Sequence, residues 1–182
     1  SEGGDVTACI RQERPLVVFD LEGTSVNPQE DRICEVCFLR LEVDGRETLL
    51  QSLINPERPI PPDATEVNHI TDAMVADAPT FKAFAPKVVE VLQDADLAGC
   101  NLATFDIPLL AAEFSRAGVQ RPETKRKVLD AYQIMKRREP HSLSGAVRFY
   151  LGRDRGEEAH RAEADVRATL EVLDAQVGRY AA

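Results

Sequence analysis

Asp20 and Glu22 stand two residues apart at the end of the apolar run Leu16-Val17-Val18-Phe19, within the stretch Asp20-Leu21-Glu22-Gly23-Thr24. Strand side chains alternate between faces, so both carboxylates project together while Val17, Phe19 and Leu21 face the other way. Like charges held that close raise one pKa sharply unless a cation sits between them. The pattern suits a hard divalent cation. The competing reading is two solvated acids at a strand end, and D-x-E alone does not choose.

Two further pairs carry the same chemistry. Asn101 is expected to end a short strand, and Asp106 stands where the next helix begins, where the macrodipole favours an ionised carboxylate. His160 and Asp165 flank the opening of the last helix. Five residues turn a helix through about 500°, so the two side chains diverge by about 140° if both are helical. They converge only if His160 lies in the preceding loop, which the charged, glycine-containing stretch 152–159 allows. The bland alternatives are Asp106 as a helix-start residue and His160 as a surface histidine.

The elements that must position these groups follow from periodicity. Strands are expected at Leu16 to Leu21, Arg32 to Val43 and Arg46 to Ile54, the last two joined by the hairpin signal Asp44-Gly45. In the second strand Ile33, Cys37, Leu39 and Leu41 are read on one face, against Val36 and Phe38. Pro56, Pro59, Pro61 and Pro62 impose an extended loop. A helical piece near 63–70 and another turn after Thr71 come next. Thr80 caps an amphipathic helix to about Gln93. Leu97 to Asn101 reads as a strand, and Pro108 opens a helix with the stripe Ile107, Leu110, Phe114, Ala117. Val128 to Asp130 is the last strand. Helices follow at 131–137 and 143–150, and a final one carries Ala162, Val166, Leu170, Leu173 and Val177 to about Gly178. The result is a mixed α/β sheet with helices on both faces.

At 182 residues, 43% hydrophobic and 29% charged, the chain has the composition of one soluble domain with a core of its own. No apolar run approaches the ~20 residues of a membrane helix, and residues 1–14 lack a signal-peptide apolar region, so a cytoplasmic location is expected and no membrane partner. A start at Ser1 suits a processed chain or a fragment. Cys34 and Cys37 form a lone C-x-x-C without a second ligand pair, so no zinc site is read, and all four cysteines are expected as reduced, mostly buried thiols. The net charge of −9 is unevenly spread. Residues 116–155 hold eleven Lys/Arg and four acids. That stretch, including Lys125 to Lys127 and Lys136 to Arg138, is either a phosphate-gripping surface or a set of solvated helix faces.

In order, Phe19-Asp20-Leu21-Glu22-Gly23-Thr24, Asn101-Leu102-Ala103-Thr104-Phe105-Asp106 and His160-Arg161-Ala162-Glu163-Ala164-Asp165 resemble the three motifs of the DnaQ-like 3′–5′ exonucleases of the DEDDh branch. Ala64-Thr65-Glu66-Val67-Asn68-His69-Ile70-Thr71-Asp72 is similar to that family's segment after its Pro-rich loop. The resemblance runs from about Leu16 to Val177. It implies a ribonuclease H-like fold, a five-stranded mixed sheet flanked by helices, with a polar leader over 1–14 and one exonuclease domain over 15–182.

The resemblance also implies that Asp20, Glu22, Asp106 and Asp165 hold two Mg²⁺ or Mn²⁺ ions, Asp20 bridging, and that His160 is the general base. Hard carboxylate oxygens suit both metals. Gly23, Thr24, Asn68, His69, Asn101 and Phe105 occupy positions similar to those around the terminal nucleotide. Two of these depart from the family: Gly23 replaces a common Thr, and Asn68 stands where a His is frequent. The implied product is a nucleoside 5′-monophosphate cut from the 3′ end of a single strand, DNA being favoured over RNA. Rival readings are an exoribonuclease of the oligoribonuclease or ribonuclease T kind, and a non-catalytic nucleic-acid-binding module. Proofreading members of the family work with a polymerase through a C-terminal extension, which is not evident here.

Overall fold

The computed structural model describes residues 9–25, 27–122, 126–138, 142–156, 159 and 161–180; the side chains of residues 137 and 138 lie outside that description. Five strands form one mixed sheet in the order β3-β2-β1-β4-β5: β1 (Leu16–Gly23), β2 (Ile33–Leu41), β3 (Glu47–Leu53), β4 (Asp96–Gly99) and β5 (Val128–Asp130). β1, β2 and β3 are antiparallel, and β4 and β5 run parallel to β1. The expected hairpin is present, with Gly45 at φ 88° and its N–H donating to the Glu42 carbonyl at 3.0 Å.

Alternation along β1 sorts the core into two layers. Val17, Phe19 and Leu21 pack beneath α3 (Phe81–Leu92) and α4 (Ile107–Ala117). Leu16 and Val18 face α5 (Ala131–Arg138), α6 (Leu143–Leu151) and α7 (Ala162–Tyr180). Asp20 and Glu22 continue the second set, which sends their carboxylates toward the side of the sheet that α7 covers. Aromatic contacts seat the first layer, Phe19 stacking on Phe38 and Phe81 meeting Phe114 edge-on, both at 5.4 Å between centroids. Two short helices, α1 (Pro62–Asn68) and α2 (Asp72–Val75), follow the proline loop. Thr80 caps α3 as expected, its hydroxyl accepting from Ala83 N–H.

Four expectations change. Ile33 packs with Val36 and Phe38 rather than with Cys37 and Leu39, because the β1–β2 register slips between Glu22 and Gly23 and a bulge inverts the alternation there. In α4 the buried residues are Leu109, Leu110, Glu113 and Phe114, so a carboxylate sits within the expected apolar stripe. Its cause is specific: Glu113 Oε1 accepts from Arg32 Nε at 2.8 Å and from Ile33 N–H at 3.1 Å, tying α4 to the start of β2. The strand expected to reach Asn101 stops at Gly99. Last, Cys9 is exposed, although Cys34 and Cys37 are buried free thiols and Cys100 is half-buried. Among the described residues, no helix is long and apolar enough to cross a membrane.

Candidate active site

β4 ends early because the chain must turn through a tight space. A Cβ on Gly99 would lie 2.4 Å from Leu102 Cδ2 and 2.9 Å from the Phe19 carbonyl oxygen, so only glycine passes there. Asn101 then takes a left-handed conformation, φ 63°, that Asn tolerates better than most residues. Residues Leu102–Asp106 form a π-helical turn closed by Ile107 N–H on the Leu102 carbonyl, a widened geometry that recurs at functional sites. Asp130 fastens this corner, its Oδ1 accepting from Asn101 N–H at 2.8 Å.

The π-turn delivers Asp106 to β1. β4 pairs with β1 only through Leu16, Val17 and Val18, so farther along that edge the strand's N–H groups need other partners. Asp106 Oδ1 accepts from Leu21 N–H at 2.9 Å in a buried contact. Asp106 thereby lies beside Asp20 and Glu22. Burial raises all three carboxyls, Glu22 and Asp106 each to about 8 and Asp20 well above its ordinary value. Asp106 and Glu22 push Asp20 up further, and Glu35, opposite Glu22 across β1 and β2, does the same to both β1 acids. Asp20 Oδ2 is buried and has no hydrogen-bond partner.

Asp165 enters from the first turn of α7. Its Oδ1 accepts a hydrogen bond from the guanidinium of Arg155, whose charge also acts on Asp20. Arg155 thus stands between the acids of β1 and α7. Among the described residues no three His, Cys, Asp or Glu side chains close to ligating distance. Arg155 supplies a positive charge at the Asp165 side of the set. The donor set still fits a divalent cation: all-oxygen ligands, three carboxyls hard to ionise together, and an unsatisfied Oδ2 at the centre. His160 lies outside the described residues.

Beside the acids a cleft of about 630 Å³ is lined by Glu22, Gly23, Thr24, Asn68 and Phe105, among others. Its floor is a rigid turn. Thr24 Oγ1 donates to Asp31 Oδ1 at 2.8 Å, and the same oxygen accepts from Ser25 N–H and Arg32 N–H at 2.8 and 2.7 Å. A Cβ on Gly23 would fall 2.1 Å from that carboxylate, which accounts for glycine where the related motif has threonine. Asn68 Nδ2 donates to the Gly23 carbonyl at 3.2 Å, joining α1 to the turn. His69, exposed at the end of α1, lines a neighbouring groove with Glu35, Arg161 and Arg167 instead. Asn101 shapes the backbone corner and lines neither.

Sequence reasoning missed Asp31, Glu35 and Arg155. An acid seven residues after Thr24 carried no periodic signal, and Arg155 sat unremarked in a charged loop. The basic stretch also divides. Arg116 braces the turn by donating to the Asp31 and Gln29 carbonyls. Lys127 N–H donates to Asp96 at the start of β4, level with Leu16, so Arg126 and Lys127 lie at the end of the sheet opposite Glu22. At ~3.3 Å per residue, that is roughly 20 Å along β1 from the acids. Arg148 and Arg153 are ion-paired with Asp154 and Glu171. Lys125 lies outside the described residues.

A family model described as "Exonuclease" (RNase_T) matches residues 17–173. A DNA polymerase III subunit epsilon from Treponema pallidum is 30% identical over 184 residues, covering 97% of this chain and 83% of its own. The 3′-5′ exonuclease DinG of Bacillus subtilis is 28% identical over 167 residues, covering 87% of this chain and 18% of its own. Among solved structures, E. coli exonuclease I in complex with a dT13 oligonucleotide superposes with a TM-score of 0.77 at 17% identity, over 89% of this chain and 40% of that one. This chain therefore spans a minor part of several longer relatives. The chain belongs to the exonuclease family, its enzyme class is 3′–5′ exonuclease, and its fold is ribonuclease H-like.

Proposed function

We propose that the chain removes nucleoside 5′-monophosphates from the 3′ end of single-stranded DNA by metal-assisted hydrolysis. The observation that carries this reading is the crowding of Asp20, Glu22 and Asp106 around an unpartnered buried Oδ2, with Asp165 reached through Arg155 and a nucleotide-sized cleft alongside. Asp20, Glu22, Asp106 and Asp165 would hold two Mg²⁺ or Mn²⁺ ions, which when bound supply an activated water and a stabilised departing 3′ oxygen. The chain's own groups do the rest. The turn of Gly23 and Thr24 and the ring of Phe105 seat the terminal nucleotide. His160 takes the proton of the attacking water as the P–O3′ bond breaks.

DNA is favoured over RNA by the polymerase subunit among the relatives, and that likeness also makes a replicative polymerase the partner to test. In the cleft the Thr24 hydroxyl and the Asn68 amide are already engaged with Asp31 and the Gly23 carbonyl. Digestion of matched 5′-labelled DNA and RNA single strands, with Mg²⁺, Mn²⁺ or EDTA, tests the reading. Stepwise shortening of DNA that EDTA abolishes and Asp165→Ala lacks is the expected result. Faster loss of RNA assigns an exoribonuclease, and metal-bound protein inert on both is a binding module.

A further inference from the structure

Arg155 is enclosed, its side chain 6% exposed, whereas its neighbours Arg148 and Arg153 are 75% and 50% exposed. An arginine loses hydration at such a position, and acceptors on the protein must compensate. Its guanidinium donates to Asp165 Oδ1 and acts electrostatically on Asp20. The residue is carried on a short connection between α6 and α7, flanked by Gly152 at φ 66° and Gly156 at φ 70°. Neither glycine has an atom within 4 Å of where a Cβ would stand, so the backbone on both sides has room to rotate.

We propose that Arg155 is an internal counter-cation that competes with divalent metal for Asp165, and that loading of the acid set requires it to withdraw. This rests on the metal-dependent reading above. A guanidinium held against Asp165 and a dication bound to the same carboxylate repel, so each weakens the other's hold. Arg155 satisfies Asp165 while Asp20 Oδ2 stays unpartnered, so the first cation enters at the β1 side and displaces the arginine from the α7 side. The device keeps the metal-free acids together and sets a threshold for loading.

Two measurements test this without reading turnover. Calorimetric titration with Mg²⁺ compares wild type with Arg155→Met; if the pair is occupied about ten to one, the variant binds about tenfold more tightly. The ¹⁵N-labelled wild-type protein, kept first in EDTA, should show a restrained Arg155 guanidinium signal that is lost with the same midpoint as Mg²⁺ binding. The second measurement decides alone if Arg155→Met does not fold. A guanidinium signal unchanged at Mg²⁺ saturation, or equal affinity in the two proteins, overturns the proposal while leaving metal binding intact. Absence of Mg²⁺ binding in wild type overturns the metal reading itself.

Discussion

Without metal, this fold should grow less stable as pH rises from about 5 to 8, the reverse of the usual behaviour of carboxylates paired in the folded state. Glu22 moves from 4.5 to about 8 and Asp106 from 3.8 to about 8, burial being the largest cause in both. A raised folded-state value means the folded protein holds protons that the unfolded chain has released. Stability is then full below the unfolded values and is lost as pH climbs through the folded ones. At about 1.36 kcal/mol per pH unit, a single carboxyl raised that far costs roughly 5 kcal/mol once fully ionised. The acids titrate as one interacting set, so their separate costs are not summed, and Arg155 offsets part of the cost at Asp20. A net loss of roughly 3 kcal/mol between pH 5 and 8 is the working figure. For a chain of this length that corresponds to a fall in Tm of about 6–12 °C.

Thermal melts in EDTA at several pH values, repeated with saturating Mg²⁺, measure it. Cation binding should cancel the fall, because the bound charge stabilises the ionised carboxylates that high pH produces. Asp106→Asn in EDTA should flatten the curve, since the amide removes one of the repelling charges, although its Oδ1 still accepts from Leu21 N–H. A Tm in EDTA that is level or rising across this range would refute the account of a charge-crowded centre.

Glu113→Ala should destabilise the protein by on the order of 3 kcal/mol, read as a lowered urea midpoint, because Arg32 and the Ile33 N–H lose a buried acceptor. Gly99→Ala should cost about 1–3 kcal/mol and reduce turnover, since the new methyl meets the Phe19 carbonyl and displaces the π-turn that carries Asp106; a fully active, equally stable variant would contradict this. His160→Ala should lower kcat by ~10²–10⁴-fold while calorimetric Mn²⁺ affinity stays within about twofold, and unaltered turnover would exclude His160 as the base.

Most of the scaffold was legible because its signals are local. Alternation along Leu16 to Leu21 placed Asp20 and Glu22 on one face, and the structure shows that face turned toward α7. Thr80, Pro108 and the Asp44-Gly45 turn marked boundaries through capping and backbone chemistry that do not depend on distant contacts. What failed was what depended on them. The alternation around Ile33 does not announce the bulge, and the turn beside it depends on Asp31, just ahead of β2, reaching across to Thr24 at the end of β1. Glu113 broke an apolar stripe because Arg32, 81 residues earlier, needed a partner.

The charge pattern misled for the same reason, and in an instructive direction. A run of cations in sequence reads as a surface only if the fold keeps it together. Here Arg116 braces the cleft floor, Arg126 and Lys127 go to the far end of the sheet, and Arg155 turns inward to the acids. The cations that line a groove next to the carboxylates are Arg161 and Arg167, which lie outside the basic stretch. Arg167 is already held by Glu163 and Glu47, whereas no ion pair to Arg161 is found among the described residues. Arg161→Ala should therefore weaken single-strand affinity and reduce its salt slope by about one, with little effect from Lys127→Ala. Binding isotherms over a salt series measure both, and a larger loss from Lys127→Ala would place the strand on the opposite end of the molecule.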